Sequence, residues 1–276
     1  MKIIELLNRE VEIEISGKTK AIRGKLVDWG QDIVVMHNGH RFLYVPLRHL
    51  QQMRASESRL DYSDTPEQPF EQFYESVSYR KILMSAKGMF AEINITGNQS
   101  VHGYITSIMN DFFVFYSPVH HSIVIPLHQL KYLIPYDSQV TPYTLAPEQF
   151  PLKPSPVTLA RTFDQQLRKL IGKFVILDLG ENPNKIGILK QIDGQIVELA
   201  SADGKSVFCI STISRRSIFP ERGLSAQAFR HCRRLILRSD EPGRSAANER
   251  RQPFERAYPN KVTFFLLCRM LGFVVI

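Results

Sequence analysis

The sequence has few cysteines, and their arrangement excludes two kinds of small stabilised domain. Three occur among 276 residues, at Cys209, Cys232 and Cys268. An odd number without a short paired spacing is typical of neither a disulfide framework nor a zinc knuckle. We therefore expect reduced thiols.

The sequence also lacks a long uninterrupted apolar run. Residues 1–10 have neither the apolar stretch nor the small-residue cleavage site of a signal peptide, which predicts synthesis and residence in a cytoplasm. Residues 262–276 are largely apolar, but a membrane span needs about 20 residues and Arg269 lies near the middle of this stretch. The sequence therefore predicts no membrane partner.

Motifs of known catalytic sites are missing as well. The sequence contains no Gly-x-Ser-x-Gly elbow, no glycine-rich phosphate loop and no His-Glu-x-x-His helix. Histidines fall in two groups, but the adjacent His120 and His121 point apart in extended backbone, and no Asp, Glu or Cys completes a metal-ligand set beside them. We therefore predict no enzymatic activity, no cofactor and no metal site.

Positive charge is concentrated at one end of a chain whose net charge is +8. Residues 221–276 hold ten Arg, one Lys and five acidic residues, a net of +6, which leaves +2 for residues 1–220. The body is close to neutral, which makes a nucleic-acid partner less favoured. The tail is either a basic appendage for an acidic partner or a poorly ordered extension.

What the sequence does contain is one pattern repeated three times. A glycine inside a predicted strand, Gly24, Gly103 or Gly187, lies nine residues before an apolar residue of the next strand in every copy. Equal spacing in three places indicates structural repeats. The copies span residues 11–50, 91–130 and 174–213.

Each copy has the features expected of a small β-barrel. Its strands alternate apolar and polar residues, and a short amphipathic segment precedes it. The glycine allows a sharp bend, without which about 50 residues could not close a barrel. We therefore predict a mainly β protein with three tandem Sm-like barrels, each preceded by a short helix, and an irregular basic tail. The predicted boundaries are 1–54 for the first barrel, 55–80 for a linker, 81–135 for the second barrel, 136–160 for a proline-rich linker, 161–220 for the third barrel and 221–276 for the Arg-rich tail.

Four aromatic residues are candidates for contacts with other molecules. Trp29 precedes a tight turn, Tyr44 lies in the last strand region of the first copy, and Phe112 and Phe115 belong to a strand that is apolar on both faces. A half-buried strand needs only one apolar face. The second face therefore either packs on a neighbouring barrel or forms an exposed patch for assembly.

The first copy resembles the repeated module of the spore coat protein B family of endospore-forming bacteria. The resemblance lies in the segments 22–28 (I-R-G-K-L-V-D) and 42–50 (F-L-Y-V-P-L-R-H-L). Three tandem modules before a basic tail are also that family's layout. The resemblance implies a structural coat component, made in the mother cell and deposited on the spore surface, whose partners are other coat proteins or further copies of itself.

An Sm-like RNA-binding protein is the alternative, because this fold often binds single strands by stacking bases on loop aromatics beside basic residues. The near-neutral body weighs against it. So does the sequence Asp28-Trp29-Gly30-Gln31, which stands where RNA-binding Sm modules have an Asp-x-apolar-Asn turn.

Overall fold

The computed structural model describes residues 3–56, 70, 77–97, 99–137, 143, 158–210 and 274–275. They belong to one compact unit, which comprises Met1–Thr212 and Met270–Ile276. Fifteen strands and a few short helices build this unit, and every strand pairs antiparallel with its neighbours. The predicted mainly β class is confirmed.

The first module begins with a 3-10 turn at Ile3–Leu6 and continues with five strands. Its strand order across the sheet is β5-β1-β2-β3-β4. The strands are β1 (Glu10–Ile15), β2 (Ile22–Trp29), β3 (Ile33–His37), β4 (Phe42–Pro46) and β5 (Leu50–Ala55).

The second module repeats this plan after the helix α1 (Tyr79–Ser85), which begins at the N-cap Ser78. Its strand order, β10-β6-β7-β8-β9, is the same as in the first module. The strands are β6 (Phe90–Thr96), β7 (Gln99–Ile108), β8 (Phe112–Ser117), β9 (His121–Pro126) and β10 (Tyr132–Pro135).

The third module follows the helix α2 (Phe163–Arg168). Its strands β11 (Phe174–Leu177), β12 (Ile186–Asp193), β13 (Ile196–Ala200) and β14 (Ser206–Ile210) are adjacent in chain order. The position of a fifth strand beside β11 is taken by β15 (Val274–Val275), which comes from the end of the tail. The tail was expected to be irregular. Its described residues, Val274 and Val275, are extended and paired. Residues 211–273 lie outside the described part.

The modules are joined through their edge strands. The fourth strand of each of the first two modules pairs with the strand in the fifth position of the next, so that all fifteen strands follow one another in one sheet. We call the pair β4–β10 the first seam and the group β9–β15–β11 the second seam. The sequence could not indicate these pairings, because every strand edge offers the same backbone groups.

The three glycines occupy matching places. A Cβ built on each would lie 1.9 to 2.6 Å from a backbone carbonyl oxygen of the third strand, and that carbonyl belongs to the residue thirteen positions later in all three modules. The pairs are Gly24 with His37, Gly103 with Tyr116 and Gly187 with Ala200. Only a residue without a side chain permits this close approach of two backbones.

A β-bulge follows each glycine at the same distance. The register of the second strand against the third shifts two residues after the glycine, between Leu26 and Asp28, between Ile105 and Ser107, and between Leu189 and Gln191. A bulge bends its strand and increases the local twist. Each second strand is therefore bent at the same point.

The core of the first module is continuous with that of the second. On β3, Val34 and Met36 face the first module's own core, whereas Ile33 and Val35 belong to the hydrophobic cluster of the second module. We call the latter side of the third and fourth strands the outer face. In the first module this outer face is buried by the module that follows.

Candidate assembly interface

The first seam is centred on Tyr44, which lies opposite Leu133. Tyr44 is 1% exposed, and its ring packs against Phe70 with 4.9 Å between centroids. Burial, together with the nearby Asp28 carboxylate, raises the pKa of the Tyr44 hydroxyl. This phenol is a permanently neutral part of the boundary between modules.

Polar side chains hold the same seam on both sides. The imidazole of His49 lies 2.9 Å from Ser16 Oγ through Nδ1 and donates through Nε2 to the carbonyl oxygen of His128, at 2.7 Å. Arg41 donates to the Glu92 carboxylate at 3.0 Å. The His49–His128 and Arg41–Glu92 contacts both join the first module to the second.

A lysine of the second module is buried beside the seam. Among the described residues Lys131 Nζ has no hydrogen-bond partner, and a Cβ on Gly17 of the first module would lie 2.7 Å from it. Burial first, and then the positive charge of Lys18, lowers the pKa of the Lys131 ammonium. Lys18 itself donates to the Tyr132 hydroxyl at 2.8 Å.

The helix of each following module is anchored to the module before it. The Asp32 carboxylate accepts a hydrogen bond from the backbone N–H of Tyr79 at the start of α1, at 2.7 Å. Asp111 accepts in the same way from Phe163 at the start of α2, at 2.9 Å. An anion at a helix N-terminus satisfies an otherwise unpaired donor and stabilises the helix dipole.

Sequence reasoning missed this anchor. A signal was present, because Asp32 and Asp111 both lie eight residues after the module glycine, and each helix begins with Ser or Thr followed by an aromatic residue. The third module has Gln195 at the corresponding place. The carboxylate therefore occurs only in the modules that another module follows.

The second seam joins three strands. Val274 and Val275 lie opposite Val124 and Ile123 on one side, and they lie opposite Leu177 and Ile176 on the other. Nearby, the rings of Phe112 and Phe163 are 6.3 Å apart.

In the structure, the four predicted interaction residues are buried or half-buried. Tyr44, Phe112 and Phe115 are buried, and Trp29 is half-buried against the core of the first module. An exposed patch at Phe112 and Phe115 is therefore ruled out, because neighbouring strands and modules cover both side chains. Packing within the molecule, the other possibility left open by the sequence, describes their position.

Several exposed apolar side chains lie on the strands of the third module. Phe174 is 64% exposed, Ile188 47% and Phe208 39%. Phe174 and Ile188 are opposite each other on β11 and β12, and Phe208 lies on the terminal strand β14. No module follows to cover this side, and sequence patterning alone did not distinguish it from the covered outer faces of the other two modules.

Two strands of the described residues have a free edge. β5 pairs with β1 alone, and β14 pairs with β13 alone. Unpaired N–H and C=O groups along such an edge can bind another strand.

The described residues offer little else in the way of chemistry. Within them, no group of three His, Cys, Asp or Glu side chains could hold a metal ion, and no helix is long and apolar enough to cross a membrane. Cys209 is a buried free thiol whose pKa is raised by burial, which makes it a poor nucleophile.

Comparison with known proteins identifies the family. A family model described as the YwrJ third domain matches residues 162–211, which lie in the third module. The chain is also 43% identical over 208 residues to "Uncharacterized protein YwrJ" of Bacillus subtilis (strain 168), a match that covers 74% of this chain and 92% of that protein. With this identity over nearly the whole length of the relative, the chain belongs to the YwrJ family.

Proposed function

We propose that this chain is a structural protein of the spore coat and that it acts through protein–protein assembly. One observation carries the proposal: the modules are joined edge to edge in one sheet, and among the described residues its first and last strands each keep one unpaired edge. A protein whose internal contacts are strand pairings, and whose terminal strands keep unpaired edges, is suited to bind further protein in the same way.

We further propose that each module is an Sm-like small barrel. Three features support this: the strand order in which the fifth strand lies beside the first, the glycine and bulge that bend the second strand, and the short helix or 3-10 turn ahead of the first strand. Such a bend would allow one half of the sheet to fold over the other, as a barrel of so few residues requires.

The coat assignment comes from the resemblance of segments 22–28 and 42–50 to the spore coat protein B module. Its test is a fluorescent fusion of the full chain followed through growth and sporulation. We expect synthesis only in the mother cell and a fluorescent layer on the spore. Production during growth, with fluorescence that stays diffuse in the cytoplasm, would contradict the coat assignment.

Titration with uridine-rich RNA at two salt concentrations separates this proposal from the RNA-binding alternative. A coat protein with a near-neutral body should bind weakly at both concentrations. Tight binding that falls steeply with salt would instead indicate phosphate contacts and favour the Sm-like RNA-binding function.

A further inference from the structure

Within the described part of the chain, the sheet ends in two strands of complementary position. β5 is the fifth strand of its module, and β14 is the fourth strand of another. Inside the molecule a fourth strand pairs with a strand in the fifth position twice, once at each seam. The two free edges are thus the two halves of a contact that the chain already makes twice.

We propose that β14 of one copy pairs antiparallel with β5 of a second copy, with Phe208 opposite Met53. The inference rests on the assembly function proposed above and names the partner, which is a second copy of this chain. Because the contact joins two different surfaces, each pair of copies keeps one free β5 and one free β14. Further copies can therefore add until a row or a closed ring forms.

The two seams indicate which residue of β14 should face the partner strand. Tyr44 lies opposite Leu133 at the first seam, and Val124 lies opposite Val274 at the second. The pairing of third with fourth strands places Phe208 at the same position of β14 that Tyr44 and Val124 hold in β4 and β9. Phe208 is therefore the residue that a new strand should face.

Strand pairing within the modules indicates which residue of β5 should face Phe208. Leu133 lies opposite Ile93 of β6, and Met53 lies opposite Ile13 of β1. Ile13 and Ile93 are equivalent, since each comes two residues after the residue that pairs with the module glycine. Met53 therefore takes the place of Leu133.

The side chains at this contact favour a reversible association. Phe208 is partly exposed and Met53 half-buried, so pairing removes apolar surface from water. Two features of the internal seams are missing from the contact between copies. Gln195 replaces the carboxylate that anchors the next helix. Glu198 holds the place that Val35 and Val114 hold on the buried outer faces. The contact between copies should therefore be weaker than either seam.

The register is tested by disulfide cross-linking of the full chain in a background of Cys209→Ala, Cys232→Ser and Cys268→Ser. A Met53→Cys copy is mixed with a Phe208→Cys copy and oxidised mildly. The matched control mixes Gln51→Cys with Phe208→Cys, which moves the thiol along the same exposed strand. A disulfide needs Cα atoms within roughly 7 Å, so the first mixture should give about ten-fold more dimer than the second. Equal yields, or no dimer in either mixture, would overturn the proposal.

Sedimentation velocity over a range of concentrations tests the contact without cysteines. The mass of the unmodified chain should rise with concentration, and Phe208→Asp should abolish that rise. Phe174→Asp is the control, because Phe174 is a more exposed phenylalanine of the same module that lies away from the free edge. A chain that stays monomeric while its fusion still reaches the spore surface would overturn this contact and leave the proposed function in place.

Discussion

At the scale of single residues, the three module glycines are the positions where side-chain size matters most. A Cβ at each of these positions would lie 1.9 to 2.6 Å from a backbone carbonyl oxygen, which is closer than the two atoms can approach. Their equal spacing in the sequence predicted the repeat. Their place inside predicted strands predicted the bend, because glycine within a strand commonly marks a bend or a close backbone approach. The partner carbonyl thirteen residues later was not predictable, since it depends on the register of the hairpin.

Gly103→Ala should lower the free energy of unfolding by about 3 kcal/mol, because the new methyl group would lie 1.9 Å from the Tyr116 carbonyl oxygen and the strands must move apart. Urea unfolding measures the loss. Gly88→Ala is the comparison: its Cβ meets open space, and only its φ of +80° opposes the change, at about 1 kcal/mol. Equal losses for the two variants would contradict the steric explanation.

His49 should make the protein sensitive to mild acid. Burial lowers the pKa of its imidazole from 6.5 to about 4, and Arg48 and Lys131 act in the same direction. Because folding favours the neutral ring, the stabilisation is complete above pH 6.5 and is lost as the pH falls towards 4, a change of about 3 kcal/mol. Burial also lowers the pKa of His37 and of His128, which adds to the same trend.

The measurement is urea unfolding at pH 7 and pH 5. His49→Gln should reduce the difference in stability between the two pH values, although it weakens the first seam at both. His40→Gln, at an exposed histidine, should leave that difference nearly unchanged. A His49→Gln variant with an unaltered pH dependence would show that other groups cause the acid sensitivity.

At the scale of elements, the helices α1 and α2 connect modules as much as they belong to them. The first backbone N–H of each helix donates a hydrogen bond to an aspartate of the preceding module, which ties the start of the helix to that module. The amphipathic segments were predictable from apolar spacing. Their anchors were not, because an Asp in a turn has a sufficient local explanation in its own side-chain hydrogen bonds.

Asp111→Ala should free the N-terminus of α2, since the Phe163 N–H loses its acceptor, at a cost of about 1 kcal/mol. Hydrogen exchange should quicken in α2 while the strands of the first module keep their protection. Gln195→Ala, the corresponding change in the third module, should have no comparable effect because no described helix is anchored there. Unchanged exchange in α2 would indicate that packing alone holds the helix.

At the scale of the whole molecule, the sequence indicated three similar units and their internal strands, whereas the joining of those units was not deducible from it. Tyr44 and Phe112 illustrate the difference: both were recognised as candidates for contacts, but whether they face a neighbouring module or another molecule depends on contacts between segments far apart in the chain. The fifth position of the third module is a stronger case, because Val274 and Val275 fill it although 63 residues of the chain lie between them and β14.

The seams also determine how the molecule would respond to mechanical load. A pull along the row of strands passes through every ladder in series, so the shortest ladders carry the same force with the fewest hydrogen bonds. Among the described strands the seams have the shortest ladders: the first seam has one paired position, Tyr44 with Leu133, and at the second seam β15 has two with each neighbour. Under tension the modules should therefore part at the seams, while the longer ladders within each module keep their pairing.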